Sequence, residues 1–462
     1  MPPATRPRAG RRLLTVTGLV LAAALLPASV VAATTAPPAG PSPAPRAQSR
    51  VATLAQTRIV SLLPGRVAHT PALGRYRTGL VTDPTTGAAL WSSGAGAPMR
   101  GASTTKLATA VTTLSVLGTT TRFPTRVVTG RTSREVVLVA GGDPLLSSTQ
   151  LRGLAVATAK TLLAAVPAPP IVPPVPTVPP TPPTVVRFTV TVDDSLFPAP
   201  SFASGWPADY VPSVVTPVRP LVRDLRNGKD TAADVSTYFA GQVNSALVSL
   251  LKARTDITPH VAYTGRLKAS TGATELARFV GNTSGAALKW MLLVSDNDVA
   301  EMLFRLNAIA LGRGGSWAGA SAAETATLRS LGIDVTGWRL YDGSGVSRND
   351  RVTARGLVQL LTIAASPQRP GLNILRNWLP VAGHSGTLDS RFTARPTSCA
   401  AGKVFAKTGT LFDTIGLAGY ARGSDGHLRT FAVLVHAVDR RYSKLQVRRA
   451  VEVIPATATG CY

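Results

Sequence analysis

Three short groups of residues in this chain could do chemistry together: Ser103-Thr104-Thr105-Lys106, Ser295-Asp296-Asn297 and Lys407-Thr408-Gly409. Ser103 and Lys106 stand three positions apart, on one face of a helix if the segment is helical. A serine hydroxyl becomes a nucleophile when a neighbouring base takes its proton. Lysine is that base only when neutral, and burial or a second positive charge lowers its pKa. Lys407 is the natural second charge and is expected to stay charged itself. A helix start adds free N–H groups and a positive end, both suited to an oxyanion. Ser295 can relay a proton between Lys106 and a leaving nitrogen. Asn297 can bond both the lysine and a substrate amide carbonyl. Gly409, on a strand edge, is expected to make room for substrate against the backbone. The Thr410 N–H then completes an oxyanion hole with that of Ser103, and Lys407 and Thr408 suit a free substrate carboxylate.

Each group alone is weak. Ser249-Leu250-Leu251-Lys252 repeats the first spacing, and Ser347-Arg348-Asn349 repeats the outline of the second. Ser249 sits inside a helical pattern with no preceding glycine, which makes it a coincidence; Ser347 is expected near the cleft. Order and context carry the weight. Gly101-Ala102-Ser103 opens a pattern in which Leu107, Ala110, Val111 and Leu114 recur at helical spacing. Ser295 falls between expected helices at 286–294 and 299–311. Lys407 lies on the first of three expected strands, 403–410, 414–422 and 428–438, the last two joined by Ser424-Asp425-Gly426 as in an antiparallel meander. A closing helix fits 442–453.

Between 124 and 271 the texture changes. A buried strand at 136–140 ends at Gly141-Gly142-Asp143-Pro144, an amphipathic helix follows, and ten prolines then fall in the seventeen residues 167–183. That run is expected as an extended surface loop. Residues 1–32 read as a signal peptide: Arg6, Arg8, Arg11 and Arg12 precede an apolar stretch, with cleavage near Ala32. An uncleaved anchor is the alternative. Residues 33–74 are expected as a flexible tether. Export makes Cys399 and Cys461, the only cysteines, a disulfide pair. With no CxxC, no HExxH and five scattered His, neither a metal nor another cofactor is expected. The formal charge of +26 draws an exported protein to anionic wall polymers. Export, and the lack of interleaved basic and stacking aromatic residues, argue against nucleic acid.

The chain resembles the D-alanyl-D-alanine carboxypeptidase/endopeptidase family of low-molecular-weight class C penicillin-binding proteins, peptidase family S13. Besides the three groups, the resemblance rests on Gly141–Pro144, Val192–Phe197, Ala300-Glu301 and Asp342–Arg348, and it covers roughly residues 75–440. It implies an α+β fold: a serine β-lactamase/DD-peptidase-like domain at 75–123 and 272–462, with an antiparallel sheet flanked by helices and an all-α subdomain, interrupted by an inserted α/β region at 124–271. It implies an acyl-enzyme on Ser103 with Lys106 as proton acceptor. Ser295 and Asn297 then shape proton return and binding, and Lys407 binds substrate. The implied activity is that of a serine-type D-Ala-D-Ala carboxypeptidase, with DD-endopeptidase action also open, on peptidoglycan stem peptides ending in D-Ala-D-Ala, and the implied inhibitors are β-lactams. Asp143 and Arg348 are placed on the cleft wall, where stem-peptide contact and a structural role, as an ion pair or a turn residue, are equally open. A β-lactamase-like hydrolase and a non-catalytic wall scaffold on the same fold are the rival readings.

Overall fold

The computed structural model describes residues 45–169, 182–225, 231–436 and 441–462. The expected signal peptide and most of the proline run lie outside them. The compact unit from Ser49 to Tyr462 holds two five-stranded sheets. The first runs β2 (Ala89–Ser93), β1 (Arg77–Thr82), β10 (Leu428–His436), β9 (Thr414–Arg422), β8 (Val404–Thr410), with every pairing antiparallel. Its last three strands are the expected meander, and β8, which bears Lys407, is an edge.

One face of this sheet packs on helices α2 (Lys106–Val116), α5 (Ser284–Val294), α6 (Asn297–Ala310), α7 (Trp317–Ser330) and α8 (Ala354–Ala365), through a core that includes Leu107, Val111, Met291, Leu303 and Leu361. The opposite face is covered by α1 (Pro45–Ala68) and the C-terminal helix Lys444–Ala458. Here the structure corrects the expected tether. Ile59, Leu63 and Val67 recur every fourth residue and are buried against Phe431, Val433 and Ile454. Burying three branched side chains stabilises the helix by several kcal/mol, at roughly 1.5–3 kcal/mol each.

The second sheet runs β6 (Ile257–Arg266), β5 (Thr184–Asp193), β4 (Glu135–Val139), β3 (Thr125–Thr129), β7 (Glu275–Phe279). Strands β4, β5 and β6 are parallel; the connections between them contain α3 (Ser148–Leu162) and α4 (Thr231–Leu250), which share one core with the sheet. A capping box of Ser147 and Gln150 starts α3. Strand β7 pairs with β3, so the second sheet extends past the expected boundary at 271.

Cys399 and Cys461 are bonded, with Cα atoms 5.6 Å apart, and fasten the segment before β8 to the end of the C-terminal helix. Non-reducing peptide mapping should recover this pair linked, whereas two freely alkylated thiols would refute it. Closing a loop over a separation of 62 residues stabilises by at most about 4 kcal/mol on the chain-entropy account, so reduction should lower the denaturation midpoint without abolishing the fold.

Candidate active site

Ser103 sits in a 3-10 turn, Ala102–Thr105, that leads directly into α2. Ala102 has φ +45°, a left-handed value that costs a non-glycine residue about 1–3 kcal/mol. Close packing holds the turn there. A Cβ on Gly345 would lie 2.0 Å from the Ala102 carbonyl oxygen, and one on Gly409 would lie 2.7 Å from that of Gly101. This corrects the expected role of Gly409. Its bare side faces the nucleophile turn and lets β8 seat against it.

The strand's open edge faces the other way. Ala406 N–H donates outward to Pro380 O, while Leu411 N–H turns back to Thr414 O. By strand alternation the Thr408 and Thr410 N–H groups point outward with Ala406. Thr410 and Ser103 line the same cleft, which places two backbone donors at one site.

The Ser295 group occupies a helix-to-helix corner. α5 ends at Val294, and Ser295 takes φ 63° and ψ 36° as its left-handed cap. Asp296 then caps α6 by accepting from Val299 N–H. Asn297 is thereby the first helical residue, and the corner turns Ser295 and Asn297 towards the two lysines. The inserted region fixes the Asn297 amide: Nδ2 donates to Val214 O at 2.7 Å, which leaves Oδ1 to accept from Lys106 at 2.5 Å. Thr216 N–H donates to Asp298 in the same segment, and burial pushes that carboxyl up to about 6.

Lys106 is buried. Its Nζ donates to Ser103 Oγ at 3.1 Å, to Asn297 Oδ1 and to Ser344 O at 3.0 Å. The loop that presents Ser344 is tied down by two buried acids. Glu301 accepts from the N–H groups of Gly343 and Ser344, and Asp342 from those of Gly345 and Ser347. Burial lowers the Lys106 pKa from the usual 10.5 to about 8, against the opposing pull of Glu301, Asp342, Asp296 and Asp298. Lys407 is equally buried and donates to Ser295 Oγ at 2.7 Å and to Thr408 O at 2.9 Å. Burial and then the Lys106 charge push it well below the usual lysine range, and no acid offsets them. Burial thus pushes both lysines towards the neutral form, and acids oppose that push only at Lys106.

Ser103, Ser295, Thr408 and Thr410 line one cleft of about 400 Å3, with Thr387 facing Thr408 across a 2.9 Å hydroxyl contact. Thr387 had no sequence signal, since it lies in an irregular stretch outside every motif. Of the two readings open for Asp143, what it touches is structural. It is buried, and its carboxylate accepts from Leu145 N–H and from both the backbone and side-chain N–H of Asn282. It staples the second sheet to the start of α5 and cannot also hold substrate. Arg348 gives both terminal nitrogens to Asp413 at 3.1 and 3.0 Å, beside Arg100, and lines no part of the Ser103 cleft. Of the two readings open for it, what it touches is the ion pair. Ser249 is exposed at the end of α4, with Lys252 exposed beyond it. Among the described residues no group of three His, Cys, Asp or Glu side chains could hold a metal ion.

The family model of the "D-Ala-D-Ala carboxypeptidase 3 (S13) family" matches residues 63–249 and 263–457. Carboxypeptidase DacB of Mycolicibacterium smegmatis is 33% identical over 384 residues, spanning 79% of this chain and 77% of that protein. A D-alanyl-D-alanine carboxypeptidase of an Actinomadura species is 29% identical over 434 residues, spanning 78% of each. Among solved structures, penicillin binding protein 4 of Haemophilus influenzae superposes with a TM-score of 0.66 at 18% identity, covering 83% of this chain and 98% of that one. That likeness shows the fold, and the matched family model places the chain in the D-Ala-D-Ala carboxypeptidase 3 (S13) family.

Proposed function

We propose that Ser103 is the nucleophile, and Lys106 its base, of a serine-type D-Ala-D-Ala carboxypeptidase acting on peptidoglycan stem peptides and inhibited by β-lactams. The observation that carries this assignment is the Lys106 Nζ contact to Ser103 Oγ at 3.1 Å, at the mouth of a cleft shared with Ser295 and Thr410. Ser103 Oγ attacks the carbonyl of the penultimate D-Ala, and its proton passes to Lys106. The oxyanion is held by the N–H groups of Ser103 and Thr410. As the C–N bond breaks, Ser295 relays a proton to the leaving nitrogen. Water then cleaves the ester and restores Ser103. Asn297 bears on the acyl half of the substrate. Thr408 and Lys407 face the terminal carboxylate, whose charge raises the Lys407 pKa, and the lysine so charged drives Lys106 towards its neutral form.

A β-lactam follows the same route to the ester, but its leaving nitrogen stays tethered and blocks the water. The purified protein should therefore label stably with fluorescent penicillin and release D-Ala from an acetylated Lys-D-Ala-D-Ala peptide. Rapid loss of the label would mark a β-lactamase. Absence of both label and D-Ala would mark a non-catalytic scaffold.

The enzyme works at the cell envelope, where its polymer substrate lies. Export with cleavage near Ala32 is part of the same proposal, as is attraction of the cleaved chain, which keeps a formal charge of 26 − 4 = +22, to anionic wall polymers. Among the described residues no helix is long and apolar enough to cross a membrane.

A further inference from the structure

We infer that the groove along α7 is a docking site for an anionic saccharide, the repeating unit of a wall polymer bearing phosphate or carboxylate groups, held by Arg313, Arg329 and Arg339 around Trp317 and Tyr341. The inference rests on the reading that the chain is drawn to anionic wall polymers, and it does not depend on Ser103.

Shape comes first. Ala318, Ala322 and Ala326 recur every fourth residue of α7 and leave a trough along it. Residues 339–341 form the opposite wall. The groove holds about 830 Å3, within the roughly 300–1,000 Å3 of small-molecule sites. It shares no lining residue with the Ser103 cleft, so a polymer can lie there while the cleft is at work.

Two aromatic rings give the groove a preference for sugar. Trp317 is fixed in place: Nε1 donates to Pro200 O at 2.8 Å, the Arg305 guanidinium stacks 4.7 Å from the ring centroid, and Trp206 meets it edge-on at 5.6 Å. Tyr341 is exposed on a backbone anchored by its N–H bond to Asp350 Oδ1 at 2.7 Å. The negative face of an aromatic ring attracts the weakly positive C–H face of a sugar. The Tyr341 hydroxyl has no hydrogen-bond partner among the described residues and suits a sugar hydroxyl.

Charge sets the class of sugar. Arg313, Arg329 and Arg339 are exposed, no acid lines the groove, and none of the three pairs with an acid among the described residues. With 49 Lys and Arg against 23 acids, a basic rim alone selects no site; a basic rim around two anchored rings does. Guanidinium groups take phosphate or carboxylate in a fork. A neutral glycan leaves the three charges unanswered, and a bare anion leaves the rings unused. A saccharide with anionic groups engages both.

The test measures binding of fluorescent oligomers to the full-length protein: a phosphodiester-linked sugar oligomer, a uronate oligomer of equal length and a neutral dextran. The wild type should bind an anionic oligomer and not dextran, and the two anionic probes decide between phosphate and carboxylate. Exposed ion pairs are individually weak, so Arg313→Gln/Arg329→Gln/Arg339→Gln should lower affinity about tenfold at about 50 mM NaCl. At about 500 mM NaCl, where the Debye length is near 4 Å, that difference should shrink. The charge-matched variant Arg134→Gln/Arg187→Gln/Lys252→Gln should lose less than about twofold. Tyr341→Ala should weaken the sugar oligomer about fivefold and leave binding of inorganic polyphosphate unchanged. Equal losses in the two triple variants mean general charge attraction and overturn the inference. So does an unchanged oligomer affinity in Tyr341→Ala, or tighter binding of anionic lipid vesicles than of any oligomer with the same arginines responsible. Penicillin acylation and the denaturation midpoint report folding of each variant. Should the groove triple variant fail to fold, the single exposed change Arg329→Glu should lower the same affinity, and an unchanged value counts equally against the site. A wild type that binds no anionic oligomer sinks the wall-polymer reading itself; one that binds with every groove variant intact sinks this inference alone.

Discussion

Ser103→Ala should remain folded and form no covalent adduct with penicillin, a complete loss rather than a reduction. Lys106 keeps two of its three acceptors when the hydroxyl goes, Asn297 Oδ1 and Ser344 O, so the buried ammonium is not stranded. The strained turn is held by packing of Gly345 and Gly409 against its backbone, which the substitution does not touch. Among the described residues no second serine opens a helix that carries its own buried lysine donor. Ser295 contacts Lys407 but sits in a left-handed cap between two helices, with Lys407 rather than Lys106 as its donor. Ser249 and Lys252 are both exposed, so no buried pocket holds them against a substrate. Mass spectrometry of the intact variant after penicillin treatment measures the outcome. An adduct of wild-type mass would overturn the assignment, and peptide mapping would say whether Ser295 or Ser249 had taken it.

The three chemical groups are legible in the sequence because each is a local pattern on an element with a strong period. Ser103 precedes a helix whose apolar positions repeat, Ser295 falls between two such helices, and Lys407 lies on an apolar strand. Long-range partners leave no such trace. Asp143 meets Asn282 across 139 residues, and nothing in Gly-Gly-Asp-Pro distinguishes a staple from a cleft residue. A glycine at 409 is visible as a need for space, but not which side of the strand needs it. Helix α1 was hidden because Ile59, Leu63 and Val67 are diluted by Ala, Thr, Ser, Arg and Pro64, and the face they form acquires meaning only against the sheet. β7 escaped because an edge strand buries little; of its five residues only Ala277 is buried. The electrostatic surroundings of the two lysines are hidden for the same reason. Spacing brings Lys106 and Lys407 to one site, but only the packing reveals that acids stand near the first and not the second.

That asymmetry sets the pH dependence of acylation. Lys106 must be neutral to accept the Ser103 proton, and its pKa in the free protein is about 8. The second-order rate of penicillin acylation, which reports free-enzyme groups, should therefore rise with pH and level off above about 8. At saturating penicillin the ligand carboxylate raises the Lys407 pKa, the charged Lys407 lowers that of Lys106, and the same limb should move to lower pH. In Lys407→Gln that charge is gone, so the saturating limb should move back to higher pH while affinity falls. Lys106→Ala removes the base altogether, and general-base contributions of about 100- to 10,000-fold set the expected loss of acylation rate at every pH. Stopped-flow or quenched labelling across pH 5–10, with circular dichroism to confirm folding, separates the cases. A near-normal rate in Lys106→Ala places the base elsewhere. A saturating limb that stays put in Lys407→Gln means that burial alone tunes Lys106, and that the carboxylate of the ligand does not switch the proton between the two lysines.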